Sequence, residues 1–196
     1  MAWPEPIALS CAQASLQPLA REHHDGLVEA VRDGELWRLW YTAVPSPEGM
    51  AAEIDRRLGL QAQGSMMPFT VFDAEGRIAG MSTYMNIDAT NQRVEIGSTW
   101  YARRVQRSPL NTACKLLLLT QAFEALACIA VEFRTHRLNA QSRRAIERLG
   151  AQLDGVLRSH QRASDGSLRD TAVYSITAAE WTAIRANLQW QLQRPR

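Results

Sequence analysis

The stretch Glu95–Glu124 constrains the fold of this chain more than any other part of the sequence. It joins a predicted strand to a predicted long helix, Leu110–Leu126, through a turn that is rich in arginine. Ser108 can cap free amides at the start of that helix, and Pro109 at its first position has no amide hydrogen to lose. The helix is apolar almost all round, so we expect it to be buried on most sides.

Positive charge collects at the start of this helix without acidic residues to balance it. Four cations lie there: Arg103, Arg104, Arg107 and Lys115. A helix N-terminus carries partial positive charge of its own, so each added cation costs about 0.3–1 kcal/mol. Free amides and basic side chains together form a phosphate site, and a bound anion would account for the arrangement. A solvated basic turn without a ligand is the alternative.

Length and composition indicate one soluble globular domain. The 196 residues are 46% hydrophobic and 21% charged, which are ordinary values for such a domain. The net charge of +2 argues against binding of nucleic acid through bulk electrostatics. The first residues lack the pattern of a signal peptide, and apolar runs such as Leu116–Leu119 are too short to span a bilayer. We therefore expect no membrane contact.

The three cysteines, Cys11, Cys114 and Cys128, are an odd number and indicate no disulfide framework. If the predicted helix is continued by two residues to Cys128, Cys114 and Cys128 lie about 21 Å apart by helix rise, which is beyond the reach of a disulfide. No spacing of His, Cys, Asp or Glu resembles a metal site. We expect a reduced, cytoplasmic protein without a metal ion.

Hydrophobic periodicity predicts elements in the order β, α, α, β, β, β, α, β, α, β, β, α. Strands are predicted over Ile7–Leu16, Pro68–Phe72, Arg77–Asn86, Gln92–Tyr101, Ile129–Thr135, Gln152–Arg162 and Ser167–Ile176. Helices are predicted over Pro18–Val31, Pro45–Gln63, Leu110–Leu126, Ala140–Leu149 and Ala178–Leu192. The sequence has no internal repeat or linker, so we expect a single domain, 1–196.

A dense aromatic cluster, which includes Trp37, Trp40 and Tyr41, precedes the second predicted helix. Core packing is one interpretation, because aromatic rings bury a large apolar area. A wall or lid over a substrate pocket is the other interpretation.

The common nucleotide and hydrolase motifs GxxxxGK[ST], GxGxxG, GxSxG and HExxH are absent. Three other patterns follow one another along the chain, in Gln106–Thr112, Val131–Gly150 and Gly155–Asp170. Together they resemble the GCN5-related N-acetyltransferases, in particular the branch that acetylates ribosomal-protein N-termini. The segment Gln106–Thr112 resembles the family's pyrophosphate loop, Q/R-x-x-G-x-G/A, with Pro109 and Asn111 where glycine is usual. Val131–Gly150 contains a segment similar to the family's N-x-x-S…A-I-E-x-L-G. Gly155–Asp170 resembles the closing hairpin of that branch.

The resemblance implies an α/β (α+β) fold with a mixed, mostly antiparallel central sheet, flanked by helices, in which two central strands splay apart. Residues 1–66, a strand and two helices, would form the acceptor side. Residues 67–178 would form the cofactor-binding core, and residues 179–196 the C-terminal helix.

The resemblance also implies acetyl-CoA as co-substrate, lying between the splayed strands. Its pantetheine arm would pair with backbone near Trp100 and Tyr101. Asn139 and Ser142 would line its far side. Its diphosphate would sit on the loop and helix start, which comprise Gln106, Arg107, Ser108, Pro109, Leu110, Asn111 and Thr112.

Direct attack of a primary amine on the thioester needs a base for the amine and a proton donor for the departing thiolate. We interpret Glu95, on the central strand, as the base; a surface carboxylate or ion-pair partner is the alternative. Many relatives have a tyrosine acid four residues beyond the Ser142 position, where this chain has Ile146. Ser142 is the substitute that we name, and a helix residue packed close to the cofactor is the alternative.

The leading hypothesis is acetyl-CoA-dependent N-acetyl transfer to a primary amine, which could be a protein N-terminus or a small molecule. The acceptor would contact the N-terminal helices and their loop, with Trp37, Trp40 and Tyr41 as pocket walls. A catalytically inactive protein of the same fold that binds CoA or a partner is one alternative. A nucleic-acid module that uses the arginine turn is another. The tail Ile184–Arg196 could pack on a second copy to form a homodimer.

Overall fold

The computed structural model describes residues 3–163 and 165–194. Met1, Ala2, Ser164, Pro195 and Arg196 lie outside the described residues, including the last two residues of the tail considered above for a homodimer. The strands are β1 Leu9–Cys11, β2 Ala14–Pro18, β3 Met66–Asp73, β4 Ile78–Asp88, β5 Arg93–Tyr101, β6 Ala130–His136, β7 Gln152–Arg162 and β8 Leu168–Thr177. The helices are α1 His24–Arg32, α2 Met50–Ala62, α3 Leu110–Thr120, α4 Ala140–Glu147 and α5 Trp181–Gln193.

Within the described residues, the strands form one eight-stranded sheet in the order β1-β2-β3-β4-β5-β6-β8-β7. The β5–β6 pair is parallel and is joined by a crossover through α3, whereas the other neighbouring strands are antiparallel. This mixed, mostly antiparallel sheet flanked by helices confirms the predicted fold class.

The sheet carries a buried apolar core on each face. On one face Ile96 of β5 packs with Leu118 of α3, and on the other face Trp100 of β5 packs with Leu27 of α1 and Ile54 of α2. A regular strand would point residues 96 and 100 to the same face. β5 has one residue more than β4 between them, and this β-bulge shifts the alternation.

The sheet opens between β5 and β6. The two strands pair only over Arg93–Glu95 and Ala130–Glu132. Beyond that point β5 continues to Tyr101 paired with β4, and β6 continues to His136 paired with β8. The facing edges of the two strands therefore have no ladder past Glu95, where the sequence resemblance implies a splay.

The prediction of one first strand over Ile7–Leu16 is wrong. The segment is a hairpin in which β1 pairs with β2, with Cys11 opposite Ala14. A turn of only two residues reverses the chain, and neither of those residues is a glycine, proline, asparagine or aspartate that would have marked it.

The prediction of one regular helix to Leu126 is also wrong at its end. α3 stops at Thr120, and one π-helical turn follows at residues 121–125. Cys128 lies beyond that turn, where its amide donates to the Ala122 carbonyl at 2.9 Å, so Cys114 and Cys128 do not share one helix. Among the described residues, no helix has the length and apolar character needed to cross a membrane.

Candidate active site

Glu95 is a buried acid at the point where β5 and β6 separate. The residue is 5% exposed. Asn86 donates from Nδ2 to Glu95 Oε2 at 2.6 Å, and Arg134 Nε lies 3.5 Å from the same oxygen. Burial raises the pKa of this carboxyl, while the Asn86 bond and the Arg134 charge oppose the rise. A buried carboxylate with a raised pKa is suited to accept a proton near neutral pH.

The far half of β6 presents polar side chains on the face that carries α1 and α2. Val131 and Phe133 are buried in the α3 core, so the alternate residues Glu132, Arg134 and His136 point to the opposite face. Glu95 also points to the face that carries α1 and α2, because its neighbours on β5, Val94 and Ile96, are buried in the core on the α3 side. The opening therefore has a charged wall on the side of the two N-terminal helices.

Glu132 is held by two arginines on this wall. Its carboxylate accepts from Arg93 Nη2 at 2.5 Å and from Arg134 Nη2 at 2.8 Å. Arg134 thereby bridges Glu132 and Glu95. Its charge compensates two neighbouring carboxylates that would otherwise repel each other.

Arg57 of α2 holds the bulge in β5. The residue is 1% exposed, and it donates from Nη1 to Thr83 Oγ1 at 2.7 Å and from Nε to Glu53 Oε1 at 2.7 Å. Its two terminal nitrogens also donate to the Ser98 carbonyl, at 3.4 and 3.3 Å. Ser98 has a φ of +47°, in the left-handed region, so the guanidinium supports a strained carbonyl beside the opening.

The expectation that four cations cluster at the α3 start is wrong for two of them. Lys115 faces the sheet, where its Nζ donates to Ser82 Oγ at 3.2 Å and to Thr99 Oγ1 at 3.0 Å. Arg104 pairs with Asp73 at the end of β3. Both side chains have acceptors in the sheet that the sequence did not reveal.

Lys115→Met should raise the stability of the protein at neutral pH. Burial lowers the pKa of Lys115 from 10.5 to about 8. Below pH 8 the lysine is charged in both states, so the folded state then bears the full penalty of a buried charge. The penalty disappears as pH rises through 8 towards 10.5, and it corresponds to about 3 kcal/mol.

Methionine removes this charge, and Ser82 and Thr99 keep their mutual hydrogen bond of 2.8 Å. We expect the variant to gain about 1–3 kcal/mol in free energy of unfolding at pH 7, from urea titration, and less at pH 9. Both proteins keep the same tyrosines and cysteines, so their difference isolates Lys115. A loss of stability that is equal at both pH values would contradict this account.

The loop before α3 is internally bonded. Gln106 donates from Nε2 to the Tyr101 carbonyl at 3.1 Å. Ser108 Oγ donates to the Val105 carbonyl at 2.6 Å and accepts from the Leu110 amide at 3.2 Å, so it satisfies the first amide of α3. Pro109, predicted at the first helical position, is the N-cap residue. These bonds fix the path of the chain from β5 into α3.

The first turn of α3 has amides suited to an anion. Its first regular backbone bond runs from the Ala113 amide to the Pro109 carbonyl at 3.0 Å. The amides of Asn111 and Thr112 precede it and have no acceptor within the helix. Arg107, exposed and at a φ of +61°, lies in the loop just before them. Pro109 itself offers no amide.

The side chains of Trp100 and Tyr101 point into the two cores. The Trp100 ring lies among α1 and α2, and the Tyr101 hydroxyl is buried beside the Cys114 thiol. Only the backbone of these residues is placed to face the opening, and a backbone contact is what the resemblance implies for them.

Asn139 caps α4, as the sequence predicts: its Oδ1 accepts from the Ser142 amide at 3.0 Å. Ser142 is half-buried in the first turn of that helix. Ile146 is buried in the α3 core, so the position where many relatives carry a tyrosine is a packing position here.

The structure separates the three predicted pocket aromatics. Trp37 is half-buried against the α1–α2 core. Trp40 is 63% exposed, and its ring meets that of His136 edge-on at 5.2 Å and that of Tyr41 at 5.5 Å. Trp40 and Tyr41 thus lie over the far end of β6, whereas Trp37 packs against the core formed with α1 and α2.

An apolar groove of about 480 Å³ lies elsewhere, between the N-terminal segment and α2. Its lining includes Trp3, Leu58, Met66 and Ile87, and none of its described lining residues carries a titratable group. Residues 3–163 and 165–194 also contain no group of three or more His, Cys, Asp or Glu side chains that could hold a metal ion.

The model of the acetyltransferase (GNAT) domain family matches residues 14–152 of the chain. The chain belongs to the GNAT acetyltransferase family. The match begins with β2 and ends at the first residue of β7, so it contains the opening, the loop and α3.

Individual relatives agree with this assignment. YdaF of Bacillus subtilis (strain 168), provisionally named a ribosomal N-acetyltransferase, is 32% identical over 107 residues, which are 55% of this chain and 57% of YdaF. The chain thus matches little more than half the length of this curated relative. A crystal structure from T. thermophilus, provisionally described as an acetyltransferase, has a TM-score of 0.85 at 31% identity, covering 97% of this chain and 99% of the other. Mycobacterium smegmatis RimJ in complex with CoA-disulfide shares the fold, with a TM-score of 0.78 at 20% identity over 97% and 96%.

Proposed function

We propose that the protein transfers an acetyl group from acetyl-CoA to a primary amine by direct attack of the amine. The observation that carries this proposal is the placement of Glu95: a buried carboxylate with a raised pKa at the last paired residue of β5, where the sheet opens. Family membership supplies the reaction class, and the structure supplies a group suited to take the proton.

The residues at the opening fit acetyl-CoA. The unpaired edge of β5 beyond Glu95 offers backbone donors and acceptors to a ligand that contains amides. The Asn111 and Thr112 amides, with Arg107 in the loop before them, suit its diphosphate despite the amide that Pro109 lacks. When bound, acetyl-CoA supplies an activated acyl group as a thioester.

The chain's own residues would then bind, orient and deprotonate the acceptor. Glu95 takes the proton of the amine, directly or through one water, and Asn86 holds the carboxylate in place. Ser142 is the residue that we assign to protonate the departing thiolate. Trp40 and Tyr41, over the far end of β6, would cover the acceptor, and Trp37, half-buried against the α1–α2 core, would form the pocket wall on that side.

The acceptor is a protein N-terminus or a small-molecule amine. YdaF is provisionally named a ribosomal N-acetyltransferase, which favours the first class. The test is a thiol-release assay with acetyl-CoA over a panel of peptides and small amines, with the acetylated product identified by mass. We expect release that depends on the amine. Binding of acetyl-CoA by calorimetry without release on any amine would instead favour an inactive CoA-binding protein, which the Ile146 core position also favours.

A further inference from the structure

Arg169 is a half-buried arginine whose Nε has no hydrogen-bond partner among the described residues. Its Nε is shielded from solvent, and none of the described residues accepts a hydrogen bond from it. Nor does any described carboxylate lie within ion-pair distance of its guanidinium; the charge it senses is that of Glu95. A buried donor without a partner costs free energy unless a ligand or water satisfies it.

The strand register places Arg169 on the wall of the opening. His136 of β6 pairs with Thr171 of β8, so Thr171 shares the face of His136, and Arg169, two residues earlier, shares it too. The same face carries Glu95 and Arg134. The register sets Arg169 two residues past the level of His136, whose ring meets that of Trp40. Its side chain is close enough to the proposed base for the charges of Arg169 and Glu95 to interact.

The other arginines on this wall are already engaged. Arg93 and Arg134 both donate to Glu132, and Arg134 also lies 3.5 Å from Glu95. Of the arginines named on this wall, Arg169 is therefore the one whose guanidinium N–H groups can bind a ligand. A guanidinium binds carboxylate and phosphate oxygens through parallel hydrogen bonds, which an amine or an amide does not match.

We propose that Arg169 binds a carboxylate carried by the acceptor, so that the preferred substrates are amines with an acidic group a few bonds from the nitrogen. This inference rests on the proposed transfer reaction and deepens it by naming the substrate class. Such a group would otherwise be repelled by Glu95 and Glu132, so Arg169 also offsets the charge that the base brings to the wall.

Matched acceptors test the proposal. The peptide pair Ser-Asp-Ala-Ala and Ser-Asn-Ala-Ala differs only in a carboxylate, and β-alanine and β-alaninamide form the corresponding small-molecule pair. We expect wild-type kcat/KM to favour the acidic member of at least one pair by about 10- to 100-fold. The pair that shows this preference indicates whether Arg169 binds the side-chain carboxylate of a peptide or the carboxylate of a free amino acid.

The variants are Arg169→Gln, Arg169→Lys and, as the matched control, Arg162→Gln, which removes an exposed arginine from β7 of the same hairpin. The acid-to-amide ratio should fall towards one in Arg169→Gln, be partly restored in Arg169→Lys, which keeps the charge without the fork, and persist in Arg162→Gln. If both the acidic and the amide acceptor are acetylated and Arg169→Gln leaves the ratio of their kcat/KM values unchanged, the inference is overturned while the proposed function stays intact.

Calorimetry keeps the inference testable if turnover fails. Absence of transfer to every acceptor would count against the proposed function. The acidic peptide, titrated into wild type and Arg169→Gln in the presence of CoA, then decides the binding site. Binding that is at least about tenfold weaker in Arg169→Gln supports the inference. Equal or absent binding overturns it.

Discussion

Glu95→Gln is expected to lower kcat by about 100-fold or more, since a positioned base contributes on this scale. Glutamine keeps the shape of the side chain and can still accept the Asn86 hydrogen bond, but it cannot take a proton from the amine. The wild-type rate should also fall at low pH as Glu95 becomes protonated. The midpoint of this fall should lie at a pH above 4.5, the ordinary pKa of a glutamate, because burial raises the pKa of the Glu95 carboxyl.

The loss should not arise from unfolding. The raised pKa means that the folded state loses stability as pH rises from 4.5 through the folded pKa, so at neutral pH a neutral side chain is expected to be at least as stable. Glu29→Gln, at an exposed position on α1, is the matched control and should keep wild-type kcat. A Glu95→Gln enzyme with wild-type kcat and an unchanged acid limb would show that Glu95 is not the base.

Arg57→Met is expected to cost about 3–5 kcal/mol of free energy of unfolding, as for a buried charge pair that loses one partner. Glu53 would lose one of its two arginines, and Thr83 and the Ser98 carbonyl would each lose a buried donor. The bulge carbonyl would then be free to turn, so we also expect lower kcat in any variant that remains folded at the assay temperature.

Arg56→Met is the matched control, because Arg56 donates to the same Glu53 carboxylate at 2.7 and 2.8 Å but is half exposed. An exposed ion pair contributes about 0–1 kcal/mol. Urea titration of the two variants compares them under identical conditions. Equal stability of the two would mean that the Arg57 guanidinium does not hold the bulge.

Local patterns were enough to predict most elements, because each carries its own signal. The strand predicted over Gln92–Tyr101 and the Asn139 cap of α4 are encoded in adjacent residues, and both predictions are confirmed. The turn between β1 and β2 was missed because its two residues have no marked preference for turns. The predicted end of α3 was wrong because the π-helical turn that follows the helix leaves the apolar pattern of the sequence unchanged.

The charged residues of the site depended on contacts that sequence does not display. The spacing of Glu53 and Arg57 indicates a helical ion pair, but only the packing of α2 shows that Arg57, and not Arg56, is buried against the bulge. A lysine inside an apolar helix was a signal that Lys115 is buried, yet its partners Ser82 and Thr99 lie on distant strands.

Arg169 illustrates the same limit. The sequence places it in the closing hairpin, but its significance comes from what is absent around its Nε among the described residues. The missing partner becomes evident only when β6 and β8 pair and set Arg169 on the same face of the sheet as Glu95, within reach of its charge.

A crystal structure of the protein with CoA bound tests the central claim most directly. The account predicts CoA between β5 and β6, with its amides on the β5 edge beyond Glu95, its diphosphate at the Asn111 and Thr112 amides, and its sulfur towards Glu95. CoA bound at another place, or β5 and β6 joined by a continuous ladder past Glu95, would contradict it.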